Sequence, residues 1–324
     1  MNELLRRARG VLLGQAVGDA LGTTVEFQSP EAIAARDEGD GWPARVVGKG
    51  PFEVAPGQVT DDTELALALA RTLAQQGRYD ADAVARAYVA WRRSGPWDCG
   101  QATHLAFGLG GPLPEALAEK VAARASRKTQ ANGALMRVSP LGVFGHTMEP
   151  RALATLAALD ARLSHPDPLC QAASAVYTVT IAAALREGLD GPRAWDFALA
   201  FCAEEPLALP AKAVLEGCAD VPPAFDDARQ GWVKLALGYA FFHLRHARSF
   251  RDAVTAVVRA GGDTDTNAAI TGALLGAVLG EDGVPADWRT TVLECRPERP
   301  REYHCGDLLD LAERLVERGR AQGN

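Results

Sequence analysis

No pair of cysteines in this 324-residue chain is spaced C-x-x-C, and no cysteine–histidine spacing resembles a zinc site. The six cysteines, at 99, 170, 202, 218, 295 and 305, read as free thiols of a reducing compartment, so the cytoplasm is the expected location. A basic surface is missing as well: the net charge is −7, and no nucleic-acid partner is expected. No run approaches the roughly 20 apolar residues that cross a bilayer, so no membrane partner is expected either. Arg6, Arg7 and Arg9 ahead of VLLGQAVGDALG imitate a signal peptide, but Gln15 and Asp19 interrupt the apolar stretch that a signal requires. GKGPFE lacks the spacing of a phosphate-binding P-loop. Internal repeats and low-complexity tracts are also lacking.

What is present is helical. Hydrophobic residues make up 48% of the chain, enough for a large core. Leu65, Leu69 and Leu73 repeat every four residues, and the length and alanine content of ELALALALA favour a helix over a strand. Further helices read at about 3–21, 80–93, 115–125, 150–159, 168–187, 193–203, 231–246, 250–260, 266–280 and 305–319. Valine, isoleucine and threonine never cluster into a set of strands. The fold class is all-α, a compact multi-helix bundle. Glycine- and proline-rich loops at 39–58, 94–100, 108–114 and 219–225 do not resemble interdomain linkers.

Two helices carry glycine ladders: Gly10, Gly14, Gly18 and Gly22, then Gly272, Gly276 and Gly280. Each glycine costs a helix roughly 1 kcal/mol against alanine. Residues four apart form one ridge, and a bare ridge admits a neighbouring helix closely. Both helices are expected deep in the core, packed against each other or simply as ordinary small-residue contacts.

Two segments concentrate oxygen ligands. Thr60, Asp61, Asp62 and Thr63 precede one helical run, and Asp263, Thr264, Asp265 and Thr266 open the second ladder helix. One such residue is enough to cap a helix. Two carboxylates and two hydroxyls within four positions exceed that need, and adjacent like charges repel unless a cation lies between them. An all-oxygen set selects a hard cation, Mg²⁺, Mn²⁺ or Ca²⁺, and four carboxylates suit a pair of ions. Histidines 243 and 246 form H-x-x-H on a helix with no third ligand nearby, and read as structural.

The pair TDDT and GGDTDT, together with GDALGTTVEF, resembles the ADP-ribosylglycohydrolase family, and within it the glycohydrolases that remove ADP-ribose from arginine. The resemblance runs through Gly10 to Phe27, Gly57 to Glu64, GPWDCGQAT (Gly95 to Thr103), NGALMRVSPLG (Asn132 to Gly142), SHPDP (Ser164 to Pro168) and Arg259 to Ala277. It implies an orthogonal helical fold of one domain, 1–324, with a central binuclear site. It implies that Thr60, Asp61, Asp62, Asp263, Asp265 and Thr266 ligate two Mg²⁺ or Mn²⁺ ions. Glu26 and Asp62 are the candidates for proton transfer. Asp19, Asp98, Asn132, Gly133, Ala134, His165 and Gly262 are the candidates for substrate contact. On the residues alone, Asn132–Ala134 is either a turn or an N–H nest for a diphosphate. By the same measure His165 and Asp98 are ordinary loop residues, and Asp19 needs a buried partner.

The implied reaction hydrolyses the bond between the anomeric carbon of ribose and an arginine guanidinium, through an oxocarbenium-like state. Asp98 is expected to pair with the guanidinium fork, with Trp97 stacked on the same plane. The implied partner is an ADP-ribosylated protein or a small molecule containing ADP-ribose. Hydrolysis of another linkage (serine, a nucleobase or a metabolite) and non-catalytic ADP-ribose binding are the alternatives. The intact acidic clusters argue against the last.

Overall fold

A computed structural model describes residues 2–36 and 39–321. They form sixteen α-helices joined by loops and short 3₁₀ turns, and no strand forms among the described residues beyond two isolated bridges. The ten helices read at numbered positions in the sequence are all present, their ends moved by no more than three residues. The leucine-rich run forms the helix Asp61–Gln76. Among the described residues, five further helices are present: Pro30–Ala34, Gln101–Phe107, Ser139–Phe144, Leu209–Gly217 and Ala286–Glu294. None exceeds nine residues, too short for an amphipathic period to show. SPLGVF is buried on every side, so it has no polar face to betray it.

The glycine ladders explain the centre of the molecule. Helix Glu3–Gly22 is buried without a break from Gly10 to Gly22, and helix Thr264–Leu279 from Thr264 to Val278. A Cβ on Gly10 would collide with the carbonyl of Gly276, one on Gly14 with Gly272, one on Gly18 with Ala268 and one on Gly22 with Thr264. One number rises as the other falls, so the two helices lie antiparallel with their backbones in contact over four turns. The exit of the first helix is thereby fixed beside the entry of the second. Both acidic helix ends and the residues after Gly22 meet there.

The other helices wrap this pair, and the buried apolar side chains form one continuous cluster. Pro168–Glu187 corrects one expectation. By length and composition this 20-residue helix is long and apolar enough to cross a membrane. Its polar residues include Gln171, Ser174, Tyr177, Thr178 and Thr180, and 89% of its most apolar window is buried inside the fold, as for a core helix. All six cysteines are free thiols.

Candidate metal centre and active site

The helix Asp61–Gln76 starts at Thr60, whose hydroxyl accepts from the Asp62 N–H at 3.3 Å. Its first turn is held from outside by Asp19. That carboxylate is wholly buried and accepts from the N–H of Thr60, the N–H of Thr63 (3.1 Å) and the Thr63 hydroxyl (2.6 Å). Asp19 is not among the residues that line the cavity; of its two readings, substrate contact or support of the neighbouring acidic turn, these bonds fit support, its oxygens being used behind the TDDT turn. One turn earlier, Gln15 donates to the carbonyls of Asp62 and Met136 and accepts from Ser139. The first helix thus tethers the TDDT turn to the NGALMR segment.

Beyond Gly22 the chain makes a 3₁₀ turn, Thr23–Val25, which presents Glu26 and Phe27. Phe27 N–H donates to the Gly262 carbonyl at 2.8 Å, and Gly262 N–H donates to the Gln28 carbonyl at 2.9 Å. This clamp holds Phe27 at φ 64, a left-handed conformation that a bulky side chain rarely adopts. It also brings Glu26 to the second acidic cluster. Carboxylate oxygens of Glu26, Asp263 and Asp265 lie within 4.8 Å of one another.

Asp62 completes the arrangement. Its Oδ2 accepts from the hydroxyls of Thr60 and Thr266, both at 3.1 Å, and the second of these links residues 204 apart in sequence. Asp263 accepts from the Asn132 amide at 2.7 Å. Asp61 accepts from the Gly100 N–H at 3.4 Å, and the neighbouring Asp98 carboxylate disfavours its ionisation. The Asp98 loop is anchored from below. Arg299 grips both oxygens of Glu64 at 2.7 and 2.8 Å and bonds the carbonyl and hydroxyl of Ser94, where that loop begins.

So many carboxylates do not ionise together without compensation. Burial raises Asp61, Asp62 and Asp265 well above the usual carboxylate range, helped by Asp98, Asp19 and Glu26 respectively. Burial likewise lifts Asp19 to about 7 despite its threonine donors. Burial, with Asp263, Asp98 and Asp61 nearby, pushes Glu26 up to about 10. Oε2 of Glu26 and Oδ1 of Asp62 are buried with no hydrogen-bond partner among the described residues. Unpartnered carboxylate oxygens facing an all-oxygen cluster fit a hard divalent cation.

A cavity opens over this cluster. Its walls include Glu26, Asp61, Asp98, Asp263, Asp265 and Thr266 on one side, and Asn132, Gly133 and His165 on the other. Thr60, Asp62, Ala134 and Gly262 stand outside the lining: Thr60 and Asp62 lie beneath it, and Ala134 and Gly262 shape the turns that border it. Trp97 is displaced from its expected place. It packs on Phe52 at 4.8 Å between ring centroids and does not line the cavity. His246 bonds the Ala219 carbonyl at 2.7 Å, away from the site.

A family model described as ADP-ribosylglycohydrolase matches residues 1–324. The chain belongs to the ADP-ribosylglycohydrolase family. It is 31% identical to an ADP-ribosyl-[dinitrogen reductase] glycohydrolase of Rhodospirillum rubrum, over 94% of this chain and 96% of that protein. A putative ADP-ribosyl glycohydrolase of Acanthamoeba polyphaga mimivirus is also 31% identical, over 94% and 96% of the two chains. An ADP-ribosylarginine hydrolase of Pseudomonas putida is 30% identical over 88% of this chain and 74% of its own length. Among solved structures, an ADP-ribosylglycohydrolase-related protein complex superposes with a TM-score of 0.77 at 29% identity, covering 98% of this chain and 100% of that one.

In this ADP-ribosylglycohydrolase family member, Phe27, Thr103, Met136 and Gly231 also line the cavity, although the sequence does not single them out as site residues. Phe27, Thr103 and Met136 stand inside motifs that carry the resemblance. Gly231 bears no chemical signal. Its place depends on the Ala131–Trp232 bridge, which brings two distant segments together.

Proposed function

We propose that this single-domain chain is a hydrolase that releases ADP-ribose from a modified protein, using two Mg²⁺ or Mn²⁺ ions and cleaving the link to arginine. The observation that carries this reading is the convergence of Asp61, Asp62, Asp263, Asp265 and Glu26 at the floor of one cavity, with two buried carboxylate oxygens unpartnered among the described residues. Thr60, Asp61, Asp62, Asp263, Asp265 and Thr266 would hold the ions. When bound, such ions orient ribose hydroxyls and acidify water.

The chain's own groups divide the remaining work. Hydrolysis breaks the bond from the anomeric carbon to the guanidinium nitrogen. The oxygen of water joins the carbon, and a proton leaves with the guanidine. Glu26 lines the cavity beside Asp263 and Asp265, which supports it as the group that moves that proton. Asp62 lies below the lining, oriented by two threonine hydroxyls, and acts as a ligand. Asp98 lines the cavity on the side of Asp61 and offers a carboxylate to a planar cation. The arginine linkage is supported by these side chains and by the names of two relatives, an ADP-ribosyl-[dinitrogen reductase] glycohydrolase and an ADP-ribosylarginine hydrolase. The test is release of ADP-ribose from arginine-, serine- and nucleotide-linked substrates. The arginine-linked one should be cleaved fastest, and preference for another would reassign the linkage.

A further inference from the structure

Behind the cavity lies a polar network that the acidic floor does not use. Arg137 is fully buried, with its guanidinium over the rings of Tyr88 and Phe107 at 4.6 and 5.3 Å. Its Nε donates to Asp160 Oδ2 at 3.0 Å and Nη2 donates to the Asp160 carbonyl at 2.8 Å. Tyr88 donates its hydroxyl to the other Asp160 oxygen at 2.9 Å. This fixes the cation rigidly. The remaining nitrogen, Nη1, reaches forward to two cavity-lining segments. It donates to the Gly133 carbonyl at 3.2 Å and to Ser164 Oγ at 2.8 Å.

Ser164 is itself fully buried, and its Oγ lies 2.8 Å from His165 Nδ1. A guanidinium only donates. With Arg137 occupying the serine oxygen as a donor, the serine proton has one acceptor within reach, the Nδ1 of His165. The opposite arrangement, Nδ1–H donating to Ser164, would leave the serine proton buried without a partner. Nδ1 is therefore an acceptor and the ring proton sits on Nε2. Burial and the Arg137 charge also pull the ring down to about 3, so it stays neutral. The Nε2 edge faces the cavity across Gly133, where a Cβ would stand 3.2 Å from Nε2 and 3.0 Å from Cε1.

We propose that Arg137 and Ser164 are positioning residues that lock His165 as the Nε2–H tautomer, so that the cavity meets a neutral hydrogen-bond donor that never becomes an acceptor. This deepens the proposed function and rests on it for the ligand. The oxygens of a diphosphate only accept, and the cavity lining contains no lysine or arginine among the described residues to meet them. A fixed neutral donor beside Gly133 fits that chemistry and adds no charge to the site.

Nitrogen NMR of the free protein labelled on histidine reads the tautomer directly. The His165 signals are identified by their loss in His165→Gln. In the wild type, Nδ1 should appear unprotonated and Nε2 protonated across about pH 5 to 8. In Ser164→Ala both should move towards the average of two tautomers, with the Kd for ADP-ribose raised about tenfold, as for one lost hydrogen bond, and with the thermal midpoint lowered because Arg137 Nη1 loses a buried acceptor. A proton on Nδ1 in the wild type, or unchanged signals in Ser164→Ala, would overturn the proposal. Wild-type protein with the expected tautomer but no affinity for ADP-ribose would sink the ligand reading and leave the positioning of His165 standing.

Discussion

Thr264 donates its hydroxyl to the main-chain carbonyl of Gly22 at 2.7 Å, joining the last turn of the first ladder helix to the first turn of the second. Glu26 follows Gly22 by one short turn, and Asp263 and Asp265 flank Thr264. The contact therefore carries Glu26 to both aspartates, although the two segments are far apart in the sequence. The glycines from Gly10 to Gly22 set the register that makes it possible, since each admits the backbone of the facing helix.

Adding a methyl group at this seam is expected to disturb both the fold and the site. A Cβ on Gly18 would meet the Ala268 carbonyl, and backbone cannot rotate aside as a side chain does. Gly18→Ala should cost about 1–3 kcal/mol of stability, as overpacking does, despite the better helix propensity of alanine. Chemical denaturation measures this. A variant as stable as the wild type would mean that the two helices do not touch as described.

Metal-free protein should lose stability as pH rises. Asp19 and Glu26 are raised to about 7 and about 10, above the values they hold when unfolded. Groups shifted upward contribute stability that is complete below their unfolded pKa and is lost as pH climbs through the folded one. In EDTA the melting temperature should fall between about pH 5 and about pH 9, with the carboxylates losing protons against their neighbours. Mn²⁺ should restore it, and by more at the higher pH, where fewer protons have to be displaced. A flat or rising profile in EDTA would contradict the clustering of Glu26 with its neighbours.

Glu26→Gln separates proton transfer from binding. The amide keeps the shape of the side chain and cannot carry the proton. Affinity for ADP-ribose should survive while turnover drops about 10²–10⁴-fold. Isothermal titration beside single-turnover kinetics gives both numbers. Near-normal turnover would remove Glu26 from the reaction.

Asp98→Ala addresses the leaving group. If Asp98 pairs with the guanidinium, kcat/KM for arginine-linked substrate should fall about 10- to 100-fold, the range of a charge-assisted hydrogen bond. Binding of free ADP-ribose, which has no guanidinium, should barely change. Equal loss in both assays would mean that Asp98 serves the acidic floor through Asp61 instead.

Much of this arrangement is legible in the sequence. The four-residue period of Gly10, Gly14, Gly18 and Gly22 marks a bare ridge, because a ladder of glycines has no local reason to exist in a helix. TDDT and DTDT exceed the needs of a cap, and both open helices at one cavity. That Asp19 needs a buried partner is legible, but which partners it takes is not, because Thr60 and Thr63 come from another segment, and no local pattern says which side of a turn a carboxylate serves. Trp97 escapes for a related reason: the ring it packs against, Phe52, lies in a short turn with no periodicity. Arg137 sits in an apolar run that gives no hint of its partner Asp160, and only the packed structure joins them.

The measurement that bears most directly on the central claim is hydrolysis of arginine-linked ADP-ribose by metal-free enzyme, repeated after adding back ions, in the wild type and in Asp265→Asn. The claim is that the two acidic clusters form one metal site. EDTA-dialysed wild type should be inactive, Mg²⁺ or Mn²⁺ should restore it, and Zn²⁺ should do so poorly, since no histidine or cysteine stands among the proposed ligands. Asp265→Asn should bind the ions more weakly by calorimetric titration and recover little activity at the same concentration. Full activity in metal-free wild type, or unchanged metal stoichiometry and turnover in Asp265→Asn, would contradict it.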